Sequence, residues 1–133
     1  MILLAFLLQM TSLEKRDPRP TAPTAAWLVG IWLHSADRDD LERVACNSGT
    51  AFAYRPDGTT QFFEGAGQWR LNGDKLVVVT TEIGEAFAEP ELVAEIGKPQ
   101  LGKLIRLGPH EGVLILPDGT RDRMLRCRPD DIQ

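Results

Sequence analysis

The sequence predicts an all-β protein, a small antiparallel up-and-down β-barrel of about eight strands. Three observations carry this prediction. Runs rich in branched, aromatic and Thr residues are short, about four to seven positions, which is strand length rather than helix length. Strong reversal signals separate them, at Pro56-Asp57-Gly58, Asn72-Gly73-Asp74 and Pro117-Asp118-Gly119. A chain of 133 residues supports one core, and meandering strands around one core avoid exposed edges best by closing.

The chain opens on an apolar run, Ile2 to Leu8. A bilayer span needs about 20 such residues, so this run has the length of a signal-peptide apolar region and predicts no stable membrane span. Thr11 to Ala26 is polar and carries Pro18, Pro20 and Pro23. Residues 1–26 are expected to be a leader and a flexible proline-bearing segment, cut near Ala25 or Ala26. That places the protein in the periplasm or outside the cell. No Lys or Arg precedes the apolar run, and the spacer is long, so a cytoplasmic chain with an N-terminal strand or helix is the competing reading. Residues 27–128 are the expected barrel domain and 129–133 a C-terminal tail.

Leu28 to Leu33 reads as the first strand. Ser35 to Val44 is charged and suits a helical turn capped by Ser35. Thr50 to Tyr54 alternates with Phe52 and Tyr54 on one face; after the Arg55-Pro56-Asp57-Gly58 turn, Thr59 to Glu64 returns. Gly65-Ala66-Gly67 is expected to turn the chain again. Gln68 to Leu71 and Lys75 to Thr81 then flank Asn72-Gly73-Asp74, a strong hairpin signal. Leu101 to Leu107, Gly112 to Leu116 and Arg121 to Cys127 complete the set. Between them, Ile83 to Gln100 is a long connection with room for a short helix or extra strand over Glu91 to Ile96, and connections of this length tend to be functional.

Composition narrows the function classes. With 43% hydrophobic and 26% charged residues the chain can bury a core, which argues against wholesale disorder. A net charge of -4, with basic residues interleaved among acids, lacks the basic face that nucleic-acid binding requires. Cys46 and Cys127 lie 81 positions apart, too far for a local redox or zinc motif. In an oxidising compartment they are expected to form one disulfide, worth about 4 kcal/mol in the chain-entropy model; in a reducing one they stay two buried thiols.

Gly30-Ile31-Trp32 in the first strand, followed by meandering hairpins, resembles the Gly-x-Trp opening of lipocalin-like (calycin-type) barrels. The stretch from Phe52 to Leu76, with its Asp-Gly turn and Gly67-Gln68-Trp69-Arg70-Leu71, is similar to small bacterial exported proteins of that type. The likeness covers roughly residues 27 to 128; the family's Thr-Asp-Tyr triplet is absent. It implies a basic residue crossing the first-strand tryptophan, here Arg123 or Arg126, with Arg126 taken as the structural partner of Trp32. Length and a single disulfide also resemble bacterial metalloprotease-inhibitor barrels, in which an N-terminal tail enters the protease. That likeness implies a secreted or envelope protein as partner and gives the stretch before Trp27 the part of the tail.

Candidate chemistry is sparse, and no catalytic residue, metal ligand set or cofactor motif is expected. His34 and His110 are the two histidines, and no Gly-x-Ser-x-Gly elbow accompanies them. His110 reads as an exposed turn residue, and His34 as a residue at the barrel rim, where a pocket mouth recruits a few polar groups. Asp37, Asp39, Asp40 and Glu42 read as a solvated face rather than a calcium loop, since the glycine of such a loop is missing. Asp57 and Asp118 each precede a turn glycine, which explains them. Trp32, Trp69, Phe52, Tyr54, Phe62 and Phe63 either fill the core or line an apolar pocket. Of these, Trp32, Trp69, Tyr54 and Phe62 are the candidate ligand contacts. The function these features suggest is non-catalytic binding of a small apolar or envelope-derived ligand at the open end.

Overall fold

The computed structural model describes residues 22–35, 46 and 51–127. Among them, eight strands pair antiparallel in sequence order, and the first pairs with the last to close a barrel. The strands are β1 (Gly30–Ser35), β2 (Phe52–Tyr54), β3 (Thr59–Phe62), β4 (Gly65–Asn72), β5 (Lys75–Ile83), β6 (Pro99–Arg106), β7 (Glu111–Ile115) and β8 (Arg121–Arg126). One helical turn, α1 (Ala25–Leu28), precedes β1; a 3₁₀ turn (Glu85–Phe87) and α2 (Pro90–Val93) lie between β5 and β6. The expected helical turn at Ser35 to Val44, the acidic group Asp37, Asp39, Asp40 and Glu42, the first 21 residues and the tail from 128 lie outside the described residues. So does most of the loop that carries Cys46.

The hairpin signals act as their chemistry requires. Gly58, Gly73 and Gly119 each take a positive φ at a reversal. Asp57 accepts hydrogen bonds from the Thr59 hydroxyl at 2.6 Å and amide at 3.0 Å, and Asp118 accepts from the Thr120 amide at 2.8 Å. The two Pro-Asp-Gly-Thr copies are therefore one turn used twice, and these bonds hold both carboxyls below the usual carboxylate range.

Two expectations are corrected. Gly65-Ala66-Gly67 is strand, not turn: the β3–β4 hairpin closes through Phe63 and Glu64, with Phe62 facing Gly65. The glycines are needed because β4 presses against β5. A Cβ on Gly65 would lie 2.0 Å from the Glu82 carbonyl oxygen, and one on Gly67 would lie 2.3 Å from that of Val79. The register shifts between Ala66 and Gly67, a bulge at this crowded point. The long connection is also shorter than expected, because β5 runs on to Ile83 and β6 starts at Pro99, a first-strand position where the missing N–H is tolerated.

The barrel closes where Trp32 of β1 faces Arg126 of β8 in register. The Arg126 guanidinium lies 4.3 Å above the Trp32 ring and donates to the carbonyls of Val29 (2.8 Å), Pro109 (3.1 Å) and Trp27. The Trp32 indole N–H donates to the Leu28 carbonyl at 2.8 Å. The carbonyls that α1 leaves open at its C-terminal end are thus satisfied by two side chains from the barrel. A helix of one turn is not stable alone; these bonds and the Thr24 cap on the Trp27 amide hold it. Gly30 is required at the junction: its φ is +143°, and a Cβ there would sit 2.5 Å from the Arg126 guanidinium. Trp27, which the sequence reading leaves at a domain boundary, plugs this end. It packs 4.9 Å from the Trp32 ring, donates to the Gly108 carbonyl at 2.9 Å, and carries Arg106 on its outer face. A cut near Ala25 or Ala26 would fall within α1 and remove its cap.

Leu28, Trp32, Trp69, Leu76, Leu104 and Met124 complete the core around this plug. A second small cluster lies at Leu33, Leu125, Ile31 and Ala51, sealed by the Cys46–Cys127 disulfide, whose Cα atoms are 5.9 Å apart. The Cys127 amide donates to the Ile31 carbonyl at 2.8 Å, so the bond is tied to the closing seam. Among the described residues no helix is long and apolar enough to cross a membrane.

Two outcomes are expected. Arg126→Ala should cost roughly 2–4 kcal/mol in urea unfolding, because it orphans partly buried carbonyls. Arg123→Ala, which breaks only the half-exposed pair with Glu111, should cost less than about 1 kcal/mol. Reducing the disulfide should lower Tm by roughly 15 °C or more, from the loop-closure entropy of the unfolded chain. Equal unfolding temperatures with and without reductant would show that the bond contributes nothing.

Candidate ligand-binding site

Strand alternation sends every second side chain inward, and their sizes differ between the two ends. The end plugged by α1 is filled by tryptophans, Leu104 and Met124. Towards the other end, Phe52, Phe62, Val78, Thr80 and Leu114 leave a hollow of about 320 Å³. Leu92 and Glu95 from the α2 segment, with Ile83, Leu101 and Leu116, surround its mouth. This segment is pinned by the Gly84 amide on the Glu64 carbonyl (2.8 Å), the Gly97 amide on the Thr80 carbonyl (2.9 Å) and Phe87 against Phe63 (4.8 Å). It leaves Leu92, Val93 and Ile96 exposed to solvent.

The polar side chains of the hollow that bond to one another form a chain of three, from three strands. Asp122 of β8 bonds His34 Nδ1 at 2.8 Å, and His34 Nε2 bonds the Tyr54 hydroxyl at 3.1 Å. His34 stands on β1, two residues beyond Trp32, so it shares the inward face; its side chain is 7% exposed and its ring lies tilted, 4.4 Å from that of Phe52. A carboxylate only accepts, so Nδ1 carries the proton. With a neutral ring, Nε2 accepts the Tyr54 hydroxyl proton. With a protonated ring, Nε2–H donates to the phenol oxygen and frees that hydroxyl for a ligand. Burial, with the Asp122 charge second, pushes the Tyr54 pKa well above its ordinary value. The phenol is therefore held in its neutral form. Every buried side-chain nitrogen and oxygen among the described residues has a partner.

The candidate ligand contacts divide. Tyr54 and Phe62 line the hollow, while Trp32 and Trp69 do not: both belong to the packed core, with the Trp69 indole donating to the Arg55 carbonyl at 3.0 Å. Placing those two at the open end is corrected, because α1 selects the Trp32 end for closure. His34, expected at the rim, lies inside, and Asp122 was missed. A signal for Asp122 existed: it shares strand parity with Met124 and Arg126, and alternation puts it on the face that carries them. His110 is exposed on its turn. Among the described residues, no group of three or more His, Cys, Asp or Glu is placed to hold a metal ion. Of the proposed N-terminal tail, Thr24 and the residues after it fold onto the barrel; residues 1–21 lie outside the described part.

Because the chain has one tyrosine, phenolate absorbance reads Tyr54 alone. A raised pKa means the folded state holds the phenol proton more tightly than the unfolded one. Stability from this group is full below pH about 10 and falls as pH rises further. Phenolate should then appear only together with loss of the circular-dichroism signal of the fold. A reversible titration near pH 10 in the folded protein would contradict the buried placement. Comparison of the chain with family models, with curated proteins and with solved structures finds no match.

Proposed function

We propose that this chain is a binding module for a small, mostly apolar ligand that carries one hydrogen-bonding group. The ligand occupies the upper half of the barrel, with its body against Phe52, Phe62 and Val78 and its polar group at Tyr54. The observation that carries this reading is the hollow itself, mostly apolar in its walls with a hydrogen-bonded polar chain inside, which is the usual composition of a small-molecule site. Its volume sets the ligand size. An apolar cavity of about 150 Å³ accepts a benzene, so this hollow suits about two fused rings or a chain of roughly eight carbons.

The reading agrees with the resemblance to lipocalin-like barrels, which hold ligands in the same place. The disulfide is compatible with an oxidising compartment, and we place the protein in the periplasm or outside the cell. A non-catalytic role is supported by the state of Tyr54, whose proton is held more tightly than usual, the reverse of what an activated nucleophile needs.

Octanol is a suitable neutral probe. Isothermal titration should show saturable binding at one site per chain, weakened about threefold to tenfold by Tyr54→Phe through the lost hydrogen bond. Val78→Phe, which fills part of the hollow, should reduce binding by at least about tenfold. Absence of saturable binding, or binding indifferent to Val78→Phe, would overturn the reading.

A further inference from the structure

Resting on that reading, we infer that the ligand is a cation, an amine with an apolar body, because the described residues of the hollow offer carboxylates and aromatic faces and no Lys or Arg. Among the seventeen described residues that line it, Glu64, Glu95 and Asp122 are acidic. Asp122 is the important one. Its ion-pairing partner among the described residues is His34, and its side chain is 21% exposed. With a neutral His34 ring, the buried base of the hollow keeps a net negative charge, the same charge that helps hold the Tyr54 proton.

An ammonium group there finds three kinds of partner. It donates to the Tyr54 oxygen and to the free lone pairs of Asp122, and it lies near the stacked rings of Phe52, Tyr54 and Phe62. Glu64, between β3 and β4, and Glu95, in the connection after α2, also line the hollow. Glu95 has Lys98 at 3.9 Å, but both side chains are about half exposed, so that pair is screened. A carboxylate ligand meets the opposite situation: it would be buried beside Asp122 with no Lys or Arg among the described lining residues to compensate it. The same field therefore selects for amines and against fatty-acid-like anions.

Three probes of one shape separate the possibilities: octylamine, octanol and octanoate, titrated against the full chain at neutral pH. Octylamine should bind at least tenfold more tightly than octanol, and octanoate at least tenfold more weakly. Asp122→Asn keeps an acceptor for His34 Nδ1–H but removes the charge, and should bring the amine-to-alcohol ratio close to one. If that variant does not fold, Glu64→Gln combined with Glu95→Gln tests the same field from the mouth, and should lower the ratio at least threefold. Octanol binding without a gain for octylamine overturns the cation inference and leaves the binding module standing. So does octanoate binding as tightly as octylamine. An amine preference unchanged in both variants assigns it to the general acidity of the chain and also overturns the inference. If none of the three probes binds, the binding-module reading fails and the inference fails with it.

Discussion

The structure depends on one partly buried cation, the guanidinium of Arg126. It faces Trp32 across the seam where the first and last strands meet, and it donates to the Trp27 and Val29 carbonyls just before Gly30 and to Pro109 on the loop before β7. Burial, with Arg106 nearby second, lowers its pKa, yet a guanidinium stays charged in any protein environment. Its planar fork serves several acceptors at once while its face lies on an indole. A lysine could fill one of these positions but not all of them. The next residue is Cys127, so the covalent tie falls beside the register that Arg126 fixes. Chain ends that are far apart in sequence are thereby joined twice, by a charge inside the wall and by a disulfide outside it.

That closure determines where a ligand has room. An eight-stranded barrel is just wide enough for side chains to fill it or for one small ligand to replace some of them. Here α1 inserts Trp27 against Trp32, and Trp69, Leu104 and Met124 pack around the pair. Complete filling at this end leaves the smaller inward residues, Val78 and Thr80, to the other end, where they cannot meet across the barrel. The 84–98 connection covers that end with short helices rather than with a plug. Its apolar residues stay partly exposed, so the cover is held mainly by its ends. The two halves of the barrel thus differ in how fully side chains fill them, and the less filled half contains the hollow.

Much of this was legible in the sequence because strands announce themselves by period and turns by composition. The three hairpins at 56–58, 72–74 and 117–119 needed only Pro, Asn, Asp and Gly in the right order. The glycines at 65 and 67 misled, because a glycine needed for a turn and one needed for a crowded bulge look alike in one dimension. Trp27 was illegible for a similar reason: its plugging role comes from α1, and α1 exists only because Arg126 and Trp32 bind its carbonyls. The site residues fell between these cases. Phe52, Tyr54 and Phe62 follow from alternation, and so do His34 from Trp32 and Asp122 from Met124. What alternation does not give is depth along the barrel axis, which separates Trp32 and Trp69 from the hollow and brings His34 into it.

The Asp122–His34–Tyr54 chain is the one feature that packing alone does not require. Thr60 shows what a structural polar group looks like in this barrel: its hydroxyl is fully buried and returns to the Ala53 carbonyl at 2.8 Å on the neighbouring strand. By contrast, the three-residue chain spends its hydrogen bonds on other side chains and lies along the wall of a cavity. An apolar trio of similar volume would close the upper half at less desolvation cost, as buried ionic groups generally show when replaced. Departures from local consistency of this kind concentrate at functional sites. Tyr54 stays protonated there, His34 can reverse the direction of the bond between them, and Asp122 keeps the charge. Together they present to the hollow a Tyr54 hydroxyl whose hydrogen-bonding role depends on the partner side chains His34 and Asp122.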